Sequence, residues 1–179
     1  GFRFRIYPAA FFQPNPKTAW LLYKRVVEYV CSIGARRVMG LYCGMGPLEM
    51  VLSSFVEWVE GYDADPENVA NARRNCTLNG LTNCRFHARR VEEIAFSDRH
   101  GSFDLVLVDP PRTGMSRTAL ESIASMGLPA VAYISCDPAT LARDLKGLVA
   151  AGYRLVRVIP FDFFPHTSHL ETLVFLERR

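Results

Sequence analysis

Residues 37–46 read Arg-Val-Met-Gly-Leu-Tyr-Cys-Gly-Met-Gly, a short apolar run that stops at a turn rich in glycine. A second apolar segment, 48–55, follows at once. This order predicts a strand, a tight turn and a helix, because the apolar run is too short for a helix of its own. The glycines would let backbone amides approach a ligand at the start of the helix.

The same alternation of strands and helices extends in both directions from this unit. Upstream, Pro16 begins a predicted helix whose apolar stripe reaches Ile33. Downstream, the predicted strands are 56–62, 84–87, 103–108, 130–135, 153–159 closed by Pro160, and 171–176, and the predicted helices are 66–78, 117–126 and 138–151. No helix separates the last two strands, which predicts an antiparallel hairpin. We therefore expect one α/β domain over residues 1–179, with a mostly parallel seven-stranded sheet, a C-terminal antiparallel hairpin and helices on both faces.

Composition agrees with a single globular domain. The chain has 179 residues, 49% of them hydrophobic, and a formal charge of +3, which permits a polyanionic partner without requiring one. No uncharged apolar run is long enough to span a membrane. The five cysteines form no C-x-x-C pair, which argues against a disulfide framework or a zinc ribbon. We expect a cytoplasmic protein without a metal site.

Two predicted strand ends suggest a cofactor, since ligands of open parallel sheets bind at the carboxyl ends of the strands. One is the turn containing Gly44 and Gly46, and the next is Asp63, placed where an acid binds ribose hydroxyls in nucleotide-binding folds. Gly46 is followed by Pro47, and no third glycine completes the nicotinamide pattern. S-adenosylmethionine is the preferred cofactor.

Three further strand ends carry residues capable of chemistry. Asp109-Pro110-Pro111-Arg112 is either a rigid turn or part of the site. Cys136 is either a buried small hydrophobe or a nucleophile, and its position before a predicted helix start favours thiolate. His169 and Glu171 would share one face of a strand, either as surface polar residues or as catalytic groups, and no third ligand supports a metal between His166 and His169.

Several segments together carry a resemblance to a known family. They are Phe12-Gln13-Pro14-Asn15, Tyr42-Cys43-Gly44-Met45-Gly46, Asp109-Pro110-Pro111-Arg112-Thr113-Gly114, Ser135-Cys136-Asp137-Pro138-Ala139-Thr140-Leu141-Ala142-Arg143-Asp144, and residues 161–171, Phe-Asp-Phe-Phe-Pro-His-Thr-Ser-His-Leu-Glu. Over nearly its whole length the chain resembles the catalytic domain of the S-adenosylmethionine-dependent RNA uracil-5-methyltransferases, which modify transfer RNA and large-subunit ribosomal RNA. The resemblance implies the Rossmann-like class I methyltransferase fold. The stretches 135–144 and 164–171 are its most specific parts.

The resemblance implies roles for individual residues. Cys136 would be the nucleophile that adds to carbon 6 of uracil, and Glu171 would be the base that removes the proton from carbon 5. The expected cofactor-binding residues are Gln13, Tyr42, Gly44, Gly46, Asp63 and Asp109, and the expected substrate-binding residues are Phe11, Phe12, Arg112, Arg143 and His169. Arg112 or Arg143 could instead hold a loop. The partner would be RNA with a single-stranded or flipped-out uridine, bound by a monomer.

The sequence also departs from the family. Members often have Asp where Gly40 stands, Asn where Pro47 stands, Glu where Asp63 stands, and a small polar or acidic residue near Arg90, so cofactor binding could be weakened or reshaped. The N-terminal RNA-binding region known from longer members is not among these residues. Two alternatives therefore stay open: an amino-methyltransferase of the Asp-Pro-Pro type acting on a nucleobase, which needs no cysteine, and a non-catalytic remnant that binds cofactor or RNA.

Overall fold

The computed structural model describes residues 1–7, 13, 15–94, 103–167 and 170–179. The α-helices in these ranges are α1 (Pro16–Ser32), α2 (Pro47–Leu52), α3 (Pro66–Leu78), α4 (Arg117–Met126) and α5 (Pro138–Ala150). The strands are β1 (Arg37–Leu41), β2 (Trp58–Asp63), β3 (Cys84–Ala88), β4 (Leu105–Val108), β5 (Ala130–Ser135), β6 (Tyr153–Phe161) and β7 (Glu171–Arg178). No helix of the described residues is long and apolar enough to cross a membrane.

The seven strands form one sheet in the order β3-β2-β1-β4-β5-β7-β6. Strands β1 to β5 are parallel, whereas β7 runs antiparallel to both of its neighbours. The predicted fold class is confirmed, including the antiparallel end. The last strand of the chain lies inside the sheet, between β5 and β6, and this position brings the start of β7 beside the end of β5.

Several predicted boundaries were wrong by a few residues. Strand β6 continues through Pro160, which pairs with Thr172. Proline is tolerated there because β6 is an edge strand and one side of it needs no ladder hydrogen bond. Helix α2 ends at Leu52 instead of residue 55, and β2 begins at Trp58 instead of 56, because residues 53–57 form the turn that joins them. Strand β4 begins at Leu105, two residues later than predicted, and α5 ends one residue earlier.

Helices cover both faces of the sheet, as predicted, and the alternation of side chains along the strands creates the two cores. In β1, Val38 packs with one apolar cluster and Met39 with the other. One cluster receives buried side chains of α1, α2 and α3, and the opposite cluster receives those of α4 and α5. The loops at the carboxyl ends of the strands stay uncovered between these layers.

Candidate active site

Two neighbouring cavities lie at the carboxyl edge of the sheet, where the sequence predicted a site. The first, of about 330 Å³, is lined by Gln13, Tyr23, Tyr42, Cys43, Gly44, Met45, Pro47, Leu48, Glu49, Leu107, Asp109, Pro110, Pro111, Arg112, Cys136 and Glu171. The second, of about 500 Å³, is lined mainly by residues 62–64, 89–92 and 113–116. Tyr42 and Pro111 line both cavities. The two cavities therefore adjoin along the edge; we call the first the acidic cavity and the second the Asp63 cavity.

The turn after β1 has a backbone that only glycine adopts easily. Its φ angles are 59° at Tyr42, 55° at Gly44 and 73° at Gly46. A Cβ atom on Gly46 would lie 2.3 Å from the ring of Phe86, so the turn has both a conformational and a steric need for glycine there. The structure thus places Tyr42, Gly44 and Gly46 in one tight turn bordering the acidic cavity.

Asp63 ends β2, and its carboxylate accepts three hydrogen bonds. The backbone N–H of Gly44 donates to Oδ2 at 2.8 Å, and the N–H of Asp65 donates to Oδ1 at 2.9 Å. The amide of Asn68 also donates to Oδ1, at 3.2 Å. The predicted cofactor residue therefore also holds the glycine turn against β2. It lines the Asp63 cavity, which is distinct from the acidic cavity.

The acidic cavity brings together Glu49, Asp109 and Glu171. Burial raises the pKa of Glu49 to about 8, and the charge of Asp63 adds to that shift. Asp109 borders the open space of the cavity. The protein nevertheless removes enough of its hydration to raise its pKa well above the ordinary value, and the charges of Glu171 and Glu49 raise it further. Burial also raises the pKa of Glu171, whose Oε2 has no hydrogen-bond partner among the described residues. Like charges that are poorly hydrated keep one another protonated.

Cys136 and Glu171 become neighbours through the pairing of β5 with β7. Ser135 pairs with Thr172, so the next residues outward, Cys136 and Glu171, stand opposite each other at the cavity. Both residues also line a small adjoining cavity of about 70 Å³ together with Arg112, Phe164 and Leu170. The structure thus brings together two residues 35 positions apart that the sequence had singled out separately.

The expectation that the helix start favours a thiolate at Cys136 was wrong for this structure. Burial raises the pKa of the thiol, and the charge of Glu171 raises it further. The N–H groups at the start of α5 already have an acceptor, because the Asp137 side chain accepts hydrogen bonds from those of Ala139 and Thr140, both at 3.0 Å. A capping carboxylate thus occupies the helix end that was expected to favour a thiolate, and burial together with Glu171 sets the direction of the shift.

The two predicted arginines differ in their surroundings. Arg143 holds a loop: its Nη2 donates to the carbonyls of Thr113 and Met115, both at 3.0 Å, and its Nε donates to Asp144 at 2.8 Å. Arg112 is exposed, lies 3.6 Å from the carboxylate of Asp137 and lines the acidic cavity. Only Arg112 therefore borders Cys136 directly.

Gln13 lines the acidic cavity, as its predicted role requires. Phe11, Phe12 and His169 lie outside the described residues. Among the described residues, no group of three or more His, Cys, Asp or Glu side chains could hold a metal ion.

Sequence reasoning missed three polar residues that shape the site. Tyr23 and Glu49 line the acidic cavity. Asp144, 1% exposed, accepts hydrogen bonds from the N–H of Met115 and the hydroxyl of Tyr133 and so fixes the loop after β4. Glu49 had a visible signal, since it is the one charged residue of the apolar run 48–52. Tyr23 had none, because it falls on the apolar stripe of α1.

The fold is that of the Rossmann-like class I methyltransferases. The N-methyltransferase NodS of Bradyrhizobium japonicum superposes with a TM-score of 0.73 at 14% identity, over 91% of this chain and 97% of its own. The tRNA (uracil-54, C5)-methyltransferase of Pyrococcus abyssi, solved in complex with S-adenosyl-L-homocysteine, superposes with a TM-score of 0.86 at 31% identity, over 97% of this chain and 41% of its own.

The particular family follows from the sequence match. The tRNA (uracil-5-)-methyltransferase family matches this chain over residues 1–179, and the chain belongs to that family. An uncharacterized RNA methyltransferase of Gloeobacter violaceus is 43% identical over 178 residues, which are 99% of this chain and 38% of the relative. The chain thus spans about two fifths of the length of the curated relatives that it matches.

Proposed function

We propose that this chain is the catalytic domain of an enzyme that transfers a methyl group from S-adenosylmethionine to carbon 5 of a uridine in RNA. Membership of the family supports the reaction class. The observation that carries the mechanism is the pairing of Cys136 with Glu171 at one cavity, produced by the register of β5 and β7. A thiol and a carboxylate side by side are what a nucleophilic addition followed by proton removal requires.

The residues of the site fit this cofactor. The glycine turn offers close backbone approach, Asp63 stands at the end of β2, and the acidic cavity suits a ligand that carries positive charge. We assign cofactor binding to Gln13, Tyr42, Gly44, Gly46, Asp63 and Asp109. When bound, S-adenosylmethionine supplies an electrophilic methyl group on its sulfonium.

Cys136 begins the chemistry. Its sulfur, once ionised, forms a bond to carbon 6 of uracil, and the electrons of the 5,6 double bond move toward carbon 5 and the neighbouring carbonyl. Carbon 5 thereby becomes nucleophilic enough to take the methyl group. Because burial and Glu171 raise the thiol pKa, positive charge nearby is needed to favour ionisation, and Arg112 is the protein cation that lowers this pKa.

Glu171 completes the reaction. After methylation, carbon 5 carries both a methyl group and a proton, and that proton must leave before the sulfur–carbon bond can break. The carboxylate of Glu171 accepts the proton, the double bond re-forms and the thiolate of Cys136 departs. The pKa of Glu171 is raised, and its Oε2 atom has no hydrogen-bond partner among the described residues. Both features suit a group that must take up a proton.

The RNA must present its base out of the stack, because carbon 6 of a stacked, paired uridine is inaccessible to the sulfur. The small cavity beside Cys136 and Glu171 is the proposed position of the target base. Phe164, which is 40% exposed, offers an aromatic face at its border.

Cys136→Ala and Glu171→Gln test this function with radiolabelled S-adenosylmethionine and unmodified transfer RNA and ribosomal RNA. Cys136→Ala should abolish both methylation and any covalent protein–RNA adduct. Glu171→Gln should still form the adduct and methylate it, but should stall before elimination and leave a slow band on a denaturing gel. Cys31→Ala, at an exposed cysteine, is the matched control and should act like the wild type.

Other results would assign a different function. Methylation that survives in Cys136→Ala, with product on an exocyclic amine by nucleoside mass spectrometry, would establish the amino-methyltransferase alternative. Cofactor binding without turnover on any RNA by the wild type would support the non-catalytic remnant. Wild-type turnover by Glu171→Gln would show that the base is elsewhere.

A further inference from the structure

Gly40 and Glu49 share one space in the structure. Gly40 is the fourth residue of β1 and Glu49 the third of α2. A Cβ atom built on Gly40 would lie 2.3 Å from Oε1 of Glu49 and 2.9 Å from its Cγ. The backbone of Gly40 has no positive φ angle, so the strand itself would accept a side chain. The glycine therefore makes room for the carboxylate of Glu49.

The family resemblance leads one to expect an acid at this point of the fold, but on the strand. By that resemblance, members often have Asp where Gly40 stands. Here the strand lacks a side chain and the facing helix provides a carboxylate in the same space.

Glu49 is poorly explained as a structural residue. It is 3% exposed, and its helix neighbours Leu48 and Met50 are buried apolar residues. No lysine or arginine of the described residues forms an ion pair with it, and no side chain there donates a hydrogen bond to its carboxylate. Its one stabilising hydrogen bond is with its own backbone, so ionisation of this buried carboxyl is costly, and a cation supplied from outside the chain would offset that cost.

The surroundings indicate the charge of that group. Asp109 and Glu171 line the same cavity, whose uncharged titratable groups are Tyr23, Tyr42, Cys43 and Cys136. Asp63 adds a further negative charge on the side of β2. Arg112 is the one lysine or arginine among the residues lining this cavity; it is exposed, and its charge acts on Cys136. A ligand cation near Glu49 would meet several carboxylates in a cavity lined by a single, exposed protein cation.

We propose that Glu49, whose side chain fills the space left by Gly40, binds the ammonium group in the methionine portion of the cofactor. The proposal rests on the proposed function in one respect, namely that the cofactor is S-adenosylmethionine. S-adenosylmethionine carries two positive charges, the sulfonium and the ammonium, and the ammonium is assigned to Glu49 because the methyl-bearing sulfonium must face Cys136 and Glu171. The nucleoside lies toward Asp63, in the cavity that Glu49 does not line, which leaves the amino-acid portion to the acidic cavity that Glu49 lines.

Calorimetric titration with two ligands tests the contact without catalysis. S-adenosylhomocysteine carries the ammonium but no sulfonium, and 5′-methylthioadenosine lacks the whole amino-acid portion. Glu49→Gln should weaken binding of S-adenosylhomocysteine about 10- to 100-fold, the usual effect of losing a hydrogen bond to a charged group, and change binding of 5′-methylthioadenosine by less than about twofold. Glu60→Gln is the matched control, because Glu60 is a largely buried acid of β2 that accepts hydrogen bonds from Trp58 and Tyr62.

A reciprocal exchange sharpens the test. Gly40→Asp alone should lower the melting temperature, because the new side chain meets Glu49 at 2.3 Å. Gly40→Asp combined with Glu49→Ala returns one carboxylate to the strand side of the same space. The double variant should bind S-adenosylhomocysteine within about fivefold of the wild type, whereas Glu49→Ala alone should bind about 10- to 100-fold more weakly.

Each outcome has a distinct meaning. If the wild type binds neither ligand, the proposed cofactor, and with it the proposed function, fails. If the wild type binds both and Glu49→Gln binds S-adenosylhomocysteine equally well, Glu49 does not recognise the cofactor. If Glu49→Gln weakens both ligands to the same extent, Glu49 only shapes the site and the ammonium contact is overturned. Failure of the double variant to exceed Glu49→Ala would overturn the exchange with Gly40.

Discussion

Two carboxylates at the same edge of the sheet, Asp63 and Glu49, have opposite environments. Asp63 accepts hydrogen bonds from the N–H groups of Gly44 and Asp65 and from the amide of Asn68. Glu49 is buried beside Gly40 and receives no side-chain hydrogen bond from the described residues. The first carboxylate is stabilised by the protein before any ligand arrives. The second has one hydrogen bond, with its own backbone, and is suited to a cation that the ligand brings.

The difference arises from where each residue lies. Asp63 is the last residue of a strand, and the turn behind it exposes backbone N–H groups that need an acceptor. Glu49 lies in the first turn of a short helix, where one backbone hydrogen bond, at Glu49 itself, stabilises the carboxylate and its neighbours Leu48 and Met50 are buried and apolar. An acid at a strand end meets several donors of the following turn, whereas an acid on the buried face of a helix meets fewer.

The largest expected effect concerns stability. With a pKa of about 8 in the folded protein against 4.5 ordinarily, Glu49 binds a proton on folding between these values. Its contribution to stability is therefore fully present below about pH 4.5 and lost as pH rises through about 8. Glu49→Gln should raise the free energy of unfolding at pH 8.5 by up to about 5 kcal/mol and have little effect at pH 4.5. Urea unfolding at the two pH values measures this.

Asp63→Asn is the contrasting variant for that experiment. It should destabilise the protein at pH 8.5 by about 1–3 kcal/mol, because an amide replaces one acceptor oxygen with a donor that faces N–H groups. Stabilisation by Asp63→Asn, or an equal gain from Glu49→Gln at both pH values, would show that the two carboxylates do not differ in this way.

Cofactor binding should depend on pH through the same carboxylate. A cation favours ionised Glu49, so the affinity of the wild type for S-adenosylhomocysteine should rise roughly 50-fold from pH 6 to pH 8 and then level off. In Glu49→Gln, ligand binding should release about one proton fewer than in the wild type. Asp109, whose pKa is also raised, should account for the proton release that remains. Titration in buffers of different ionisation enthalpy counts the protons. An unchanged slope in Glu49→Gln would contradict the assignment.

Asp63 should affect the other end of the cofactor. Asp63→Ala should weaken S-adenosylhomocysteine and 5′-methylthioadenosine alike, by about 1–3 kcal/mol, because both ligands carry the ribose. Asp65→Asn, at the neighbouring cap of α3, is the control and should leave both affinities unchanged. Full affinity in Asp63→Ala would limit Asp63 to supporting the turn at Gly44.

The smallest expected effect is on the thiol of Cys136. Arg112 lowers the thiol pKa and Glu171 raises it, so Arg112→Gln should slow alkylation by iodoacetamide at pH 8 and Glu171→Gln should speed it. Both changes should be about two- to fivefold, because Arg112 is exposed and water screens its charge. The rate in Cys136→Ala is subtracted to remove the other cysteines. Equal corrected rates in the wild type, Arg112→Gln and Glu171→Gln would show that neither charge acts on the thiol.

The sequence by itself determined the sheet, its antiparallel end and the most distinctive site residues. Hydrophobic runs between glycine and proline turns identify strands and helices because each depends on nearby residues, as the confirmed bounds of α4 and β5 illustrate. Strand boundaries such as that at Pro160 were less predictable, since an edge strand tolerates a proline that a central strand would exclude. Cys136 and Glu171 could be singled out, and paired through the family resemblance, because their motifs are distinctive.

The tertiary structure alone decided how the charges act. It placed Glu49 in the space of the missing side chain at Gly40, and it turned Arg143 toward the loop after β4. It also showed that Asp137 caps the helix that was expected to activate Cys136. A pKa or a hydrogen bond depends on groups brought together from distant parts of the chain and on the water that they exclude, and neither is written in local sequence.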